Sequence, residues 1–317
     1  MFEVRIYTPA DRAAWDEFVT KSKNGTFLLL RSYMDYHAHR FVESSLIVSD
    51  ASGSIVAVLP ANRVEARLES HGGLSYGGLV LNERVGTAEV LDLFEAVLAF
   101  SCRHGIEEIL YKSVPRIYHR LPADEDQYAL FYYGARLFRR EALSVVDLSS
   151  ELGMQERRRR GMRKALKAGL KVASSDDIAA FWPILEANLR SRHGLRPVHT
   201  VSEMQLLRSL FPENIKLYGV FDGEAMCAGT LLYLTPETAH VQYTGSREEG
   251  RDNGALDLLY GTIIPDFKGK FRYFDFGNSN EDEGKYLNRG LVQFKEGFGA
   301  RTISHDFYKL PVKTASR

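Results

Sequence analysis

Tyr273-Phe274-Asp275-Phe276-Gly277-Asn278-Ser279, followed after an acidic, glycine-containing loop by Phe294-Lys295-Glu296-Gly297-Phe298-Gly299, is the stretch from which the fold can be worked out. Phe271 to Phe276 alternates with the two-residue period of a strand and runs into Gly-Asn-Ser, which is turn chemistry. Asp275 is therefore expected at the mouth of a strand, where open α/β sheets hold their ligands. Gly284 to Phe298 carries Tyr286, Leu287, Leu291, Phe294 and Phe298 at helical spacing, stops at Gly299 and predicts a helix; Ala300 to Tyr308 predicts the last strand. Aromatics on a strand are most often core and a terminal glycine most often a cap, so the chemistry narrows to Asp275. Asp-Phe-Gly is no kinase signature here, because the chain has neither a His-Arg-Asp loop nor the glycine-rich nucleotide loop that must accompany it.

Upstream of this stretch, Ile215 to Phe221, Ala225 to Leu234 and His240 to Thr244 predict a three-strand meander, the first two joined by a tight turn at Asp222-Gly223. Two helices precede it, Asp176 to Arg192 and Ser202 to Leu210, and a third, Gly254 to Ile264, crosses over to the Phe271 strand. The first half alternates similarly. Strands are expected over Phe2 to Tyr7, Ser45 to Ser49, Ser54 to Pro60, Arg63 to Glu69, Ile109 to Ser113 and Leu143 to Leu148. Helices are expected over Asp11 to Ser22, within Ser32 to Arg40, and over Thr87 to Arg103 with Thr87 as its cap. Glu156 to Lys171 holds eight basic residues against one acidic. As a helix it carries an apolar stripe of Met162, Ala165, Leu166 and Leu170 beside a face of Arg160, Arg163, Lys164, Lys167 and Lys171. Such a face is either solvated or turned toward a polyanion.

The second-half order of helix, helix, three antiparallel strands, helix, strand, helix, strand resembles the C-terminal half of the FemAB-like acyltransferases. These are tandem-domain members of the GNAT N-acyltransferase superfamily. The Phe-Asp-Phe-Gly strand exit, the Phe-Lys-x-Gly-Phe-Gly helix end and the basic Arg-Lys-Ala-x-Lys-x-Gly run at residues 163–169 carry the resemblance. It implies an α/β (α+β) chain of two tandem GNAT-like domains, residues 1–150 and 151–317, with mixed central sheets flanked by helices. It also implies an acyl-CoA-dependent N-acyltransferase in which a substrate amine attacks a thioester directly. In such a domain the pyrophosphate of coenzyme A sits on amides at the start of the central helix, drawn by the helix dipole. The corresponding donor-binding residues here are Thr244, Gly245, Arg247, Arg251, Asn253 as the helix cap, Gly254, Ala255 and Lys285.

Direct acyl transfer needs a neutral amine, donors for the oxyanion and a proton for the leaving group. Asp275 is the first candidate for base or amine-positioning group, Glu283 the second and His71 the third. Tyr243 or Tyr286 is a candidate acid, and the oxyanion donor is expected among the amides of Tyr243 to Gly245. Arg31 to His37 and the loop Ser70 to Gly78 resemble segments of FemAB-like proteins of surface-polysaccharide and O-antigen pathways. There the acceptor is a nucleotide-linked amino sugar, which places Arg31, Tyr33, Asp35, His37, Tyr76 and Arg163 in the substrate-binding set. The alternatives are an aminoacyl-tRNA-dependent transferase building peptidoglycan branches and a non-catalytic polyanion-binding protein.

The 317 residues carry 41 basic and 41 acidic side chains, so any polyanion must be met by a local patch rather than by the whole molecule. No stable nucleic-acid partner is expected, and homo-oligomerisation is left open. Two distant cysteines, Cys102 and Cys227, give no metal or disulfide spacing; no metal is expected. With no apolar leader at the N-terminus and no run long enough to span a bilayer, the reading is a cytoplasmic protein.

Overall fold

Alternating apolar residues set the strands of both halves, and helical periodicity sets the layers that cover them. The structure, a computed structural model, describes residues 2–150 and 152–312; positions 151 and 313–317 of the expected second domain lie outside them. In chain order the elements are β1 (Glu3–Ile6), α1 (Arg12–Lys21), α2 (Arg31–Met34), β2 (Val42–Glu43), β3 (Leu46–Ser49), β4 (Ile55–Leu59), β5 (Asn62–Val64), β6 (Arg67–Glu69), β7 (Val80–Leu81), α3 (Thr87–Arg103), β8 (Glu108–Lys112), α4 (Glu125–Tyr132) and β9 (Arg136–Asp147). They continue as α5 (Glu156–Lys167), β10 (Lys171–Ser175), α6 (Ile178–His193), α7 (Val201–Leu210), β11 (Ile215–Asp222), β12 (Ala225–Leu234), β13 (Thr238–Ser246), α8 (Glu248–Asp252), α9 (Ala255–Phe267), β14 (Tyr273–Asn278), β15 (Asn280–Glu281), β16 (Tyr286–Leu287), α10 (Arg289–Glu296) and β17 (Arg301–Pro311). Among the described residues, one compact unit runs to Glu141 and takes in Glu283–Lys285 and the stretch from Ser304. The other comprises Ala142–Asp282 and Tyr286–Ile303, so β9 and β17 each contribute to both.

In the first unit, β1, β3, β4 and β7 form an antiparallel sheet, while β8 pairs antiparallel with the end of β17 and parallel with β6. The α3 helix buries Val90, Leu93, Phe94 and Val97 against Leu46, Leu59, Leu81 and Ile109. Two expectations are corrected here. Residues 63–69 are not one strand but a hairpin of β5 and β6, turned at Glu65, whose φ of 55° is a left-handed conformation. The cap of α3 is Gly86 rather than Thr87, with the Glu89 carboxylate accepting from the Gly86 amide at 2.9 Å.

The second unit is a mixed sheet in the order β10, β11, β12, β13, β14, β9, antiparallel throughout except for the parallel pair β13–β14. One face is covered by α9: Tyr260, fully buried, meets Phe274, Phe276 and Phe298 edge-on at 4.8–6.0 Å between ring centres. Each such ring contributes about 1.5–3 kcal/mol by burial. The opposite face is covered by α6, where Phe181 lies over Gly229 and Trp182 meets Tyr243. This is the element order expected for the second half, with two corrections. Tyr286 and Leu287 do not belong to a helix from Gly284; they form β16, paired with β15, and the helix begins only at Arg289, where the Asn288 side chain accepts from the Leu291 amide. The basic helix stops at Lys167, Lys171 lies in β10, and Leu166 is exposed; Gly161, which packs on Asp257, completes the inward stripe in its place.

Candidate active site

The parallel pairing of β13 and β14 lasts for three residues, Thr238 with Tyr273, Ala239 with Phe274 and His240 with Asp275. Beyond His240 the strands part. β13 stays laddered to β12 as far as Ser246, with a bulge that leaves Gln242 unmatched between Val241 and Tyr243. A bulge sharpens local twist and turns the strand away from its former neighbour. β14 instead follows β9, and its register slips between Asp275 and Asn278, where Gly277 takes a φ of 72°. That left-handed step suits glycine, and it lets the Gly277 amide donate to Asp275 Oδ1 at 2.7 Å. The edge that β13 presents after His240 is therefore no longer laddered to β14, and its backbone groups border an opening fork.

Strand alternation puts Phe274, Phe276, Ala239 and Val241 on the α9 face, so Asp275 and His240 share the other face. Asp275 is fully buried, and its Oδ2 lies 2.8 Å from His240 Nδ1, while the His240 side chain keeps 18% exposure. A carboxylate at Nδ1 holds that nitrogen as the N–H and makes Nε2 the lone-pair-bearing atom, the tautomer a general base requires. On the same face, Tyr243 OH lies 2.6 Å from His199 Nδ1. Burial raises the Tyr243 phenol above its ordinary pKa, so it remains a proton-bearing group. On the far side of the Gly277 bulge, Lys295 Nζ donates to the carbonyls of Gly277 at 3.0 Å and Asn278 at 2.5 Å. Burial lowers the Lys295 pKa to about 8, while Asp275 opposes that shift. Lys295 thus holds the carbonyl of the same residue, Gly277, whose amide holds Asp275, and Asp275 in turn meets His240.

Of the candidates read from sequence, the structure brings Asp275, Tyr243, Thr244 and Gly245 together around the fork. Gly245 packs on the backbone of α6 at Leu185, and Thr244 Oγ1 donates to the Gly229 carbonyl at 3.2 Å. Arg247, the cap of α8, and Arg251 within it are exposed. Asn253 closes α8 rather than opening α9, whose cap is Gly254 in a left-handed conformation, with Ala255 buried behind it. Glu283 and Lys285 are exposed in the first unit.

The first-unit set is mostly interior. Arg31 stacks over Tyr7 at 3.9 Å and is held by Asp35, Glu43 and Ser45. Tyr33 packs edge-on to Phe27 and Tyr36; Tyr76 shares a 2.9 Å hydrogen bond with Thr26. His37 and His71 are buried against Phe41, and burial, with His37 and Lys112 adding to it, drives the His71 pKa down to about 3. Arg163 is exposed and paired with Glu156 on its own helix. Sequence reasoning missed His240 and Lys295. The first is 35 residues from Asp275 and is joined to it only by parallel register; the second stands inside the quoted Phe-Lys-x-Gly-Phe-Gly motif.

The start of α9 does not fit a diphosphate. Asp257, in its first turn, already places a carboxylate there, paired with Arg158 Nη1 at 2.7 Å, and the backbone of α5 at Gly161 lies against Gly254. Among the described residues no cluster of three or more His, Cys, Asp or Glu side chains could hold a metal, and no helix is long and apolar enough to cross a membrane.

Residues 154–286 match the family model described as an acetyltransferase (GNAT) domain, which spans the fork and its flanking helices. No curated protein matches the chain. Among solved structures, the chain is similar to FemX at 14% identity and TM-score 0.66, covering 96% of each. A tandem GNAT protein from the clavulanic acid biosynthesis pathway is similar at 12% identity and TM-score 0.55 over 100% of both chains. L-PGS from Bacillus licheniformis is similar at 11% identity and TM-score 0.56, over 98% of this chain and 94% of that one. At these identities the likeness is one of fold: mixed α/β, GNAT-like, with tandem-domain neighbours.

Proposed function

We propose that the chain is an N-acyltransferase whose chemistry takes place at the β13–β14 fork, with His240 as general base and Asp275 as the group that orients it. The observation that carries this reading is the His240–Asp275 pair, set at the last parallel residue before the strands part. The acceptor is a primary amine, by the resemblance of the sequence an amino sugar carried on a nucleotide. The donor is an activated acyl carbonyl: a thioester of the acyl-CoA class by the same resemblance, although the start of α9 offers no place for its diphosphate. As the amine nitrogen bonds to the acyl carbon, its proton passes to His240 Nε2. The bond from that carbon to the leaving group breaks, and the leaving atom takes a proton, for which the Tyr243 phenol, on the same face of the sheet as His240, is the donor. Amides on the β13 edge that is no longer laddered to β14 receive the oxyanion.

Replacing His240 by Asn keeps size and a hydrogen bond to Asp275 while removing the base. A screen of acyl donors against nucleotide amino sugars, read by product mass, should show kcat lowered by about 10²–10⁴-fold in this variant at unchanged thermal midpoint. An unchanged kcat would remove His240 from the role. A second reading, transfer from an aminoacyl-tRNA, is favoured by one feature, the exposed basic residues of α5, and predicts turnover only when charged tRNA is supplied.

A further inference from the structure

The segment that opens α9 has the shape of an anion cradle but not its vacancy. A helix of 13 residues ends in unsatisfied amides and a partial positive charge, which together attract phosphate. Here that end is already sealed by this chain. A methyl group built on Gly254 would lie 2.5 Å from the Gly161 carbonyl oxygen, and one built on Gly161 would lie 1.8 Å from the Asp257 carboxylate. The two backbones are therefore in direct contact, and the Asp257 side chain, 13% exposed, sits between α9 and α5 with Arg158 as its counter-ion. The helix dipole has been given an internal anion, and a second one would meet like charge.

The seal is made by the most basic element of the chain, and α5 presents one flank beside α8. Residues 157, 160, 164 and 167 follow each other at three- and four-residue steps. Arg157 donates to the Gln293 carbonyl on α10, and Lys164 Nζ donates to the Asp252 carbonyl of α8 at 2.6 Å, which fixes the flank at both ends. Between and beyond them Arg160 and Lys167 are exposed, and no ion pair to either is found among the described residues. Glu156, the one acid of α5, is paired with Arg159 and Arg163, and it lies one turn from Arg160, whose charge also helps to lower its pKa.

We propose that Arg160 and Lys167 bind the nucleotide phosphates of the acyl donor, so that the donor's tail lies on the flank of α5 rather than on the amides at the start of α9. The proposal rests on the reading of the fork as the place of acyl transfer. The chemistry recognised is the nucleotide phosphate, supplied either by coenzyme A or by the 3′ end of an RNA.

Two measurements on the full chain test it. The first is equilibrium binding of coenzyme A and, separately, of a short RNA hairpin with a single-stranded 3′ end, to the wild type and to the Arg160→Glu, Lys167→Glu double variant. One of the two probes should bind with strong salt dependence and lose at least tenfold in affinity in the double variant, and which one binds identifies the source. Binding of neither probe, or binding that the charge reversal leaves unchanged, overturns the proposal whatever the enzyme's turnover. The second compares acetyl-CoA with S-acetyl-pantetheine as donors. If coenzyme A is the source, the double variant should raise KM for acetyl-CoA tenfold or more at constant kcat and leave acetyl-pantetheine unchanged. Equal loss with both thioesters overturns the phosphate role. If RNA is the bound probe and neither thioester is turned over, the thioester donor falls and the phosphate site stands.

Discussion

Among the described residues two parallel pairs of strands part into forks, and one of the two is left open. In the second unit β13 and β14 part after His240 and Asp275, and no further pairing of the two strands is found among the described residues. In the first unit β6 and β8 also run parallel for three residues, Arg67 with Glu108, Leu68 with Ile109 and Glu69 with Leu110. There the following loop fills the gap: the Ser70 amide donates to the Leu110 carbonyl at 2.9 Å, and the Gly77 amide to that of Lys112 at 3.1 Å. Lys112, buried enough that its pKa falls to about 8, donates from Nζ to the carbonyls of His71 and Leu74 at 2.5 and 2.6 Å. The residues at the parting point differ accordingly. Where the second unit has a histidine and a buried aspartate, the first has Glu69, bound to Arg67, opposite an aliphatic Leu110. One and the same strand arrangement can thus present a backbone edge to a substrate or consume it in its own loop, and the loop sequence decides which.

The sharpest way to break this contrast is to remove the ionisable member of each fork. Asp275→Asn should lower kcat by about 10²–10⁴-fold, because the amide can offer Nδ1 the wrong hydrogen-bond partner and favour the wrong imidazole tautomer. Glu69→Gln should leave kcat within a factor of about three, as expected of a partly buried pair held within its own hairpin and of small energetic weight. Steady-state rates beside thermal midpoints decide the matter; a comparable fall in both variants would mean that the first fork also takes part in the chemistry.

Asp275 was legible as a candidate because it is the one carboxylate of a phenylalanine-rich strand before Gly-Asn-Ser, although the same place also lets it cap the Gly277 amide. Its partner was not. His240 opens a strand that sequence alone places correctly, yet nothing local says that this strand lies parallel to β14 in the one register that aligns the two side chains. Lys295 was in view but unreadable: its apolar neighbours Phe294 and Phe298 set the helix face, and only the Gly277 bulge gives the amine two carbonyls to reach. The helix expected from Gly284 failed for the reason that period counting fails on short segments. Tyr286 and Leu287 fit the spacing, but the residues at 282 and 283 take left-handed conformations and Asn288 restarts the chain as a cap. The polar cluster of Arg31 to His37 reads as a binding surface because sequence does not reveal that Tyr33, Tyr36 and His37 pack ring against ring. The basic helix was legible as charge, and its glycine at 161 was not legible as the contact that closes α9.

A second test asks how firmly the first fork is closed. A methyl group on Gly77 would stand 2.1 Å from the Ser70 backbone oxygen, and backbone cannot step aside as a flexible side chain can. Gly77→Ala should lower stability by about 1–3 kcal/mol in denaturant titration. It should leave the KM of the transferase reaction unchanged if the loop only packs against the strands it follows. Unaltered stability would mean that the loop is loosely held and the fork closed only in name.

The smallest effect concerns the two buried aspartates. Asp275 faces a histidine; Asp126 accepts from Tyr111 OH at 2.7 Å, while Tyr111 in turn accepts from the Leu79 amide at 2.6 Å beside the closed fork. Burial raises the Asp126 pKa to about 7, with the Tyr111 hydrogen bond only partly opposing it. A carboxyl whose pKa is raised on folding favours the folded state in its protonated form. Its contribution is complete below the ordinary carboxylate range near pH 4 and is lost as pH climbs through about 7. Wild-type stability should therefore fall relative to Asp126→Asn between pH 4 and 7, with a slope no steeper than about 1.4 kcal/mol per pH unit. Urea titrations of both proteins across that window supply the difference. If it is flat, Asp126 is ionised in the folded protein.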